Sequence, residues 1–489
     1  MRQGWFLWRI LGLGALSLSF CGCPGTSSPT ADQATPAGPV EPLRLVVVDD
    51  PGLAEAVQRQ WQARAEGALE VRRMTSEEIC DPRRKRLAGD AVIYPSGLLG
   101  ELAERGWISP LSDDVLDSSE FARRDIFDHL RQHEIKWGDQ VYAAPLGSPP
   151  LMLVYRPDLL DKAGVKPPET WAQYLALSER LAKSADSLRG TPSDSGEWHP
   201  VAEPLAPGWA SQVLLARAAV YARHRSYFAS LFDLDSMEPL IASPPFVRAL
   251  EELVAAAKYR SPRATEHLPA DVWERLRSGQ CAVGLTWPSN ADTPTSAKTA
   301  GPASPIMLAA AELPASADVY DIGNGEWQRR DSAEDGHVTL LSVAGRLGSV
   351  VKGSGRAATA MSLLMRLTSA EWSREISPHS PATTLYRTSQ LPGVKAWAGE
   401  SFSADAAMAY AETVQRCFRR QLSLDSVRLP ARSRYLAALD EAVHAALRGE
   451  HPASECLAAA ADEWRKINQD LGIENQRRAY WRSLGKNPP

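Results

Sequence analysis

VYAAPLGSPPLMLVYRPDLLDKAGVKPPETWAQYLALSERL, residues 141–181, changes its periodicity midway. Its first part is apolar and extended, and it is punctuated by Pro145, Pro149 and Pro150, which neither sit inside a helix nor donate to a sheet ladder. Thr170 and Gln173 then form a capping box, after which Trp171, Tyr174, Leu175 and Leu181 fall on one face of a helix. A buried strand followed by an amphipathic helix is the repeating unit of an α/β fold.

The same alternation continues outward in both directions. LRLVVVDD (43–50) is a continuous apolar run ending in acids, which marks a buried parallel strand. Pro51 opens a helix with Leu53, Val57 and Trp61 on one face, and DAVIYPS (90–96) is a second buried strand whose following helix ends at Gly106. Downstream, Ser243 caps a helix that has Pro244 in its first turn, and DVWERLRSG (271–279) stops at Gly279. CAVGLTWPSN (281–290) is a strand and turn, and VTLLSVAGRLGSVV (338–351) is another strand-like run. From Gly355 the pattern is helical, with stripes at Ala358/Met361/Met365 and Leu436/Leu439/Val443. The expectation is a parallel or mixed sheet flanked by helices, followed by a helical C-terminal part.

The first residues read differently. Arg2 and Arg9 precede ILGLGALSLSF (10–20), an apolar run too short to span a bilayer but suited to a secretory signal. Gly22 stands before Cys23, which resembles the bacterial lipoprotein signal, where a small residue precedes the cysteine that is cut and acylated. Cys21 follows bulky Phe20 and is expected to leave with the signal. The reading is a signal peptide over 1–22, a lipid on Cys23, and a flexible tether over 23–42 that is rich in Pro, Ser, Thr and Gly. Simple secretion with a coincidental cysteine is the alternative.

Composition bounds the remainder. The chain is 44% hydrophobic and 23% charged with a formal charge of −5, which becomes more negative once Arg2 and Arg9 leave. No basic run carries interleaved aromatics, so a nucleic-acid groove is not expected, and no long apolar run follows the signal. Four cysteines lie in the body, and an exported compartment permits pairing. Cys417 with Cys456, and by remainder Cys80 with Cys281, is one of three possible arrangements. Trp is abundant, with 15 residues.

Several stretches together resemble the extracellular solute-binding proteins of ABC importers, in particular the large carbohydrate-binding group of the maltose-binding type. These are DAVIYPSGLLGELAERGWISPL (90–111), YRPDLLDKAGVKPPETWAQY (155–174), SPPFVRALEEL (243–253) and RLRSGQCAVGLTWPS (275–289). GRLGSVVKGSGRAATAMSLLMRLTSAEWS (345–373) and RYLAALDEAVHAALRGEHPASECLAAAADEW (434–464) complete the series in the family's order. The resemblance implies an α/β, two-lobed periplasmic-binding-protein-like (type II) fold with a ligand cleft between the lobes. The first lobe is expected to take 43–145 and about 336–388, the second 146–335 and about 389–489. It implies a monomer on the periplasmic face of a bacterial membrane, held there by its lipid alone, that passes a small solute to an ABC transporter permease.

In open α/β sheets ligands sit beyond the carboxyl ends of the strands. Those positions are Asp49 and Asp50, Tyr94, Pro95 and Ser96, Leu146 to Pro149 including Ser148, Trp287 to Asn290, and Ala344, Gly345 and Arg346. Sugars offer a C–H face to aromatic rings and hydroxyls to carboxylates and Arg. Tyr94, Trp209 and Trp287 are therefore the aromatic candidates, and Asp49 and Asp50 the hydroxyl acceptors. By the resemblance, Trp287 and Trp209 match positions that line the cleft, and Tyr435 and Arg432 match less closely. Against these stand plainer roles: tryptophans usually pack in cores, and the Asp49–Asp50 pair caps a helix as readily as it binds a sugar.

Enzyme signals are thin. His129 and His133 have helical i,i+4 spacing, but the glutamate follows the second His, so the HExxH pattern is missing and a solvated helix face is expected. Gly348 to Gly353 is followed by Ser354 where a phosphate loop has Lys. No cofactor, metal or catalytic residue is assigned. The competing readings are a receptor for an anion, polyamine or iron complex, a receptor feeding a sensor, or a surface glycan-acting enzyme. Three features depart from the family pattern: the two prolines of GSPPLMLVYR at a hinge position, the irregular segment 183–208, and a tail running past Gly472.

Overall fold

The structure is a computed structural model that describes residues 41–188, 197–287, 306–331 and 333–489. The signal with Cys21 and Cys23, nearly all of the tether, part of segment 183–208, and Pro288 to Asn290 lie outside the described residues.

The chain enters the fold through β1 (Leu43–Val48), every residue of which is buried except Arg44. Asp50 caps helix α1 (Pro51–Ala63), accepting the Leu53 amide at 3.0 Å, and Leu53, Val57 and Trp61 are buried along its inner face. β2 (Leu69–Met74), β3 (Ala91–Pro95) and β4 (Ala144–Gly147) follow. Ser148 to Leu151, with its two prolines, then carries the chain into β5 (Met152–Tyr155) of a second sheet. There the Thr170–Gln173 capping box opens α2 (Trp171–Lys183), which buries Trp171, Tyr174, Leu177 and Leu181 and leaves Leu175 half-buried.

β6 (His199–Ala202), α3 (Ala210–Ala222), α4 (Pro244–Ala255), α5 (Pro269–Arg277), β7 (Cys281–Thr286) and β8 (Ala309–Ala311) complete this region. Ser243 stands at the start of α4, but its hydroxyl donates backward to the Leu240 carbonyl instead of capping the helix. α3 is buried on nearly all sides, which explains its uninterrupted small and apolar residues.

The run 338–351 does not form one strand. Ser342, with φ +62, turns the chain, and the run divides into β9 (Thr339–Leu341) and β10 (Arg346–Val350) in different sheets. The apolar pattern continues across the break because both pieces are buried, so periodicity alone could not place it. The first sheet has the order β2-β1-β3-β10-β4, parallel through β3, with β10 antiparallel to both neighbours. The second has the order β8-β5-β7-β6, with β6 and β7 parallel.

The rest is helical, as the stripes require. α6 (Ala357–Leu367) packs on the first sheet and α7 (Ala404–Cys417) on β8. β11 (Ser423–Asp425) pairs in parallel with β9. α8 (Arg432–Arg448) lies on α3 and against α9 (Ala453–Leu471), and α10 (Ile473–Ser483) ends the chain.

α10 holds both lobes. The Tyr480 hydroxyl accepts the Leu231 and Phe232 amides at 3.2 and 3.3 Å, and its ring packs on Phe232 beside α9. Arg482 donates to Glu104 at 2.7 Å, its carbonyl accepts the Gly138 amide, and Asn487 bonds Asp139, all in the first lobe.

Two expectations are corrected. All four body cysteines are free thiols, and burial pushes Cys80 and Cys281 up to about 12. Cys80 ends a short helix beside the first sheet while Cys281 opens β7 of the second, so elimination among four residues paired groups that the fold separates. His129 is buried and His133 half-buried, so they do not form a solvated face. Residues 130–134 form a wider π-type turn, and the imidazoles tilt against each other 5.6 Å apart, with burial pushing His129 down to about 4.

Candidate functional site

The carboxyl ends of β1, β3 and β4 and the start of β10 meet at one rim of the first sheet, as the strand-end rule expects. What they do there differs from the expectation. Asp50 is enclosed, and besides capping α1 its carboxylate accepts Arg346 Nε at 2.9 Å and the Ser380 hydroxyl at 2.5 Å. Arg346 uses its remaining nitrogens on the carbonyls of Asp49, Ala344 and Gly345. This pair closes on itself and offers no free donor or acceptor to a solute. Asp49, at φ 51, turns its carboxylate onto the Ser76 amide and hydroxyl.

Tyr94 is a core residue: its ring is fully enclosed and its hydroxyl bonds Ser349 Oγ at 2.8 Å. Pro95 continues the β3–β10 ladder opposite Arg346. The Ser96 amide donates to the Gly345 carbonyl at 2.8 Å. Gly345 lies so close to Ser148 that a Cβ would stand 2.4 Å from its hydroxyl oxygen.

Glu134, which the sequence does not single out, joins these turns. Its Oε1 accepts the Ser148 hydroxyl at 2.7 Å and the Ser342 amide at 3.0 Å, and burial raises its carboxyl above the usual range. The Ser342 hydroxyl donates onward to Asp425 at 2.7 Å. The three segments near the passage between sheets are thus bolted by one buried carboxylate. Its local sequence, HEIKW, carries no motif that would have announced it.

The second sheet contributes a different rim. β7 ends at Thr286, and Trp287 follows with 2% exposure, its ring 4.9 Å from that of Trp209 and tilted by 52°. Trp209 opens α3 and is partly exposed, so it presents the accessible face of the pair. The amides of Gly208 and Ser211, on either side of Trp209, donate to the two carboxylate oxygens of Asp440 at 2.6 and 2.7 Å. A carboxylate is a favourable partner for the unpaired amides of a helix N-terminus, and here it fixes the aromatic pair against α8.

Behind this rim Glu203, just past β6, accepts Arg217 at 2.6 Å, Arg260 at 2.7 Å and the Tyr174 hydroxyl at 2.7 Å, all buried. Burial pushes its carboxyl up, but the two guanidinium groups outweigh that and leave it below the usual range. Tyr435 belongs to the core and not to the rim. It is enclosed against Phe232 and Trp464, with its hydroxyl on Asn468 at 2.7 Å.

Arg432, the first residue of α8, reaches across to the first lobe. Its guanidinium lies on Gly97, where a Cβ would stand 2.5 Å from Nε, so only glycine permits the approach. Ser342 O faces the same spot. Burial pushes the Arg432 pKa down to about 10. Among the described residues no carboxylate pairs with it, and its Nε is buried without a partner. Asp440 is close enough to act on its charge, which ties Arg432 to the Trp209–Trp287 pair through a shared neighbour. The site therefore comprises Ser96, Gly97 and Ser342 on one side and Trp209, Trp287 and Arg432 on the other. An aromatic face and an unengaged cation stand on the second side, and the turns on the first side are buried. Among the described residues no cluster of His, Cys, Asp and Glu is arranged to hold a metal.

The comparisons with known proteins agree with this architecture. The model of the bacterial extracellular solute-binding protein family matches residues 87–371. A solute-binding protein of an ABC transporter from Agrobacterium radiobacter, solved with ribitol, superposes with a TM-score of 0.63 at 18% identity. That match covers 87% of this chain and 98% of the other. Maltose-bound MalE3 of T. maritima gives 0.62 at 17% identity over 87% and 100%. The Agrobacterium vitis protein with bound D-mannitol gives 0.62 at 16% identity over 88% and 99%.

Proposed function

The chain belongs to the bacterial extracellular solute-binding protein family, and on that premise we propose that it captures a carbohydrate between its lobes and delivers it to an ABC importer. The observation that carries this reading is the Trp209–Trp287 pair at the strand ends of the second sheet, with the Trp209 face partly exposed. An indole stacks on the C–H face of a pyranose, and polar groups from the opposing lobe bond the hydroxyl rim. The first-lobe turns at Ser96–Gly97 and Ser342, buried beneath Arg432, close the site, while Asp50, Arg346 and Glu134 shape the rim without touching solute. Lobe closure about Ser148–Leu151 and the return near Ser342 buries the solute between two surfaces. The protein works at the outer face of a membrane, anchored through Cys23. The similar structures carry ribitol, maltose and mannitol, which supports a sugar or polyol here.

Titrating the full chain with a panel of mono- and oligosaccharides while following tryptophan fluorescence tests this. The expected result is a saturable change for one sugar class, abolished in Trp209→Ala, with the sugar recovered intact. A folded protein silent to the whole panel would transfer the reading to another solute class. Recovery of cleaved sugar would make the protein an enzyme.

A further inference from the structure

Arg432 is held in place at an energetic disadvantage. The residue is half-buried, its Nε is enclosed without a partner, and no carboxylate among the described residues pairs with it, a costly arrangement for a charge. The other arginines enclosed near the cleft illustrate the contrast: Arg346 is paired with Asp50, Arg217 and Arg260 with Glu203, and Arg428 lies 3.7 Å from Asp425 while donating to four backbone carbonyls.

The acids around Arg432 each hold another group, although Glu134 Oε2 is buried without a partner. Both Asp440 oxygens hold the amides of α3. Asp49 is on Ser76, and Asp425 takes the Ser342 hydroxyl. Glu101 accepts Arg105 and the Ala431 amide, and buried Glu134 serves Ser148 and Ser342. None reaches the Arg432 guanidinium, which stands between the lobes on Gly97 with the Trp209–Trp287 pair on its own side of the cleft.

We propose that the solute is an acidic carbohydrate, a sugar bearing a carboxylate such as a uronic acid or its oligomer, and that Arg432 receives the carboxylate while Trp209 carries the ring. This rests on the carbohydrate reading above and narrows it. One guanidinium matches a carboxylate in both charge and fork geometry. A phosphate dianion would leave excess negative charge among Asp49, Glu134 and Asp440. The close approach over Gly97 serves this purpose, since any side chain there would displace the guanidinium from between the lobes.

The test is a matched comparison on the full chain by titration calorimetry: D-glucuronate against D-glucose, D-galacturonate against D-galactose, and the di- and trimers of each. The expected result is tighter binding of the acid in at least one pair. In Arg432→Gln the acid loses roughly 10- to 100-fold, the range of a charge-assisted bond, while its neutral partner is unaffected. Arg432→Lys, a point charge without the fork, should recover part of the loss. Equal or tighter binding of the neutral sugars overturns the acidic-solute inference and leaves the carbohydrate reading standing. An acid preference that survives Arg432→Gln in a protein of unchanged thermal stability removes Arg432 from the role. Silence toward both members of every pair overturns the carbohydrate reading itself, and this one with it.

Discussion

The two rims of the cleft are built from similar residues put to opposite uses. On the first lobe Asp50, Arg346, Ser380, Glu134, Ser148 and Ser342 bond one another, with the buried Glu134 Oε2 as the unpartnered exception. On the second, Trp209 keeps a partly exposed face and Arg432 keeps a guanidinium with no counter-ion among the described residues. Residue type did not separate the two, since Arg346 and Arg432 are both arginines at the first position of an element. What separates them is whether a partner is already in reach. Saturated polar groups hold a fold, and unsaturated ones at a cleft await a ligand.

That contrast is open to attack at five points, in decreasing order of effect. Glu203→Gln strands two buried arginines behind the aromatic pair and should lower stability by about 3–5 kcal/mol in urea unfolding. A loss under about 1 kcal/mol would mean the triad is not the support it looks like.

His129 gives a pH signature. Its pKa in the fold is about 4, against about 6.5 when unfolded, so between those values the unfolded chain binds more protons. Stability should therefore fall as pH drops through that window, by on the order of 3 kcal/mol in all, and level off below it. Denaturation across the window should show this slope, and His129→Leu should flatten it.

Asp50→Asn removes the charge facing Arg346 and weakens the α1 cap. A loss of about 2–3 kcal/mol is expected with solute affinity unchanged, because neither group faces the cleft. Affinity lost in step with stability would restore Asp50 to the ligand site.

Arg482→Ala breaks a partly exposed pair with Glu104 that ties α10 to the first lobe. It should cost about 0.5–1 kcal/mol by thermal melt. Arg432→Gln is the mirror of the Asp50 variant: unchanged or slightly raised thermal stability, since a partly desolvated unpaired charge is removed, with the loss confined to binding. A melting temperature lowered as far as that of Asp50→Asn would erase the distinction between the rims.

The parts of the fold legible in the sequence were those encoded in neighbouring residues. The apolar run of β1, the Thr170–Gln173 capping box and the Gly279 stop each need only a few consecutive positions, and each stands where it was expected, while Asp50 takes the capping role that competed with its place as a sugar ligand. The strand-end rule also picked turns of chain that meet at one rim of the first sheet. It failed on side chains: Tyr94 and Tyr435 point into cores because alternation along β3 and the stripe of α8 decide their direction, and being aromatic does not. Trp209 and Trp287 do meet, although 78 positions separate them in the chain.

The sequence alone therefore determined the class of fold, most of the helices and strands, and the family, because hydrophobic periodicity and caps are local and survive without knowledge of any partner. The tertiary structure decided the rest. It showed that four cysteines lie apart as thiols, that Glu134 bolts three distant segments, and that Asp50 consumes Arg346 while none of the described residues consumes Arg432. Those are statements about which groups come within about 3 Å of one another across hundreds of residues. A hydrogen bond depends on that distance, and no local pattern encodes it.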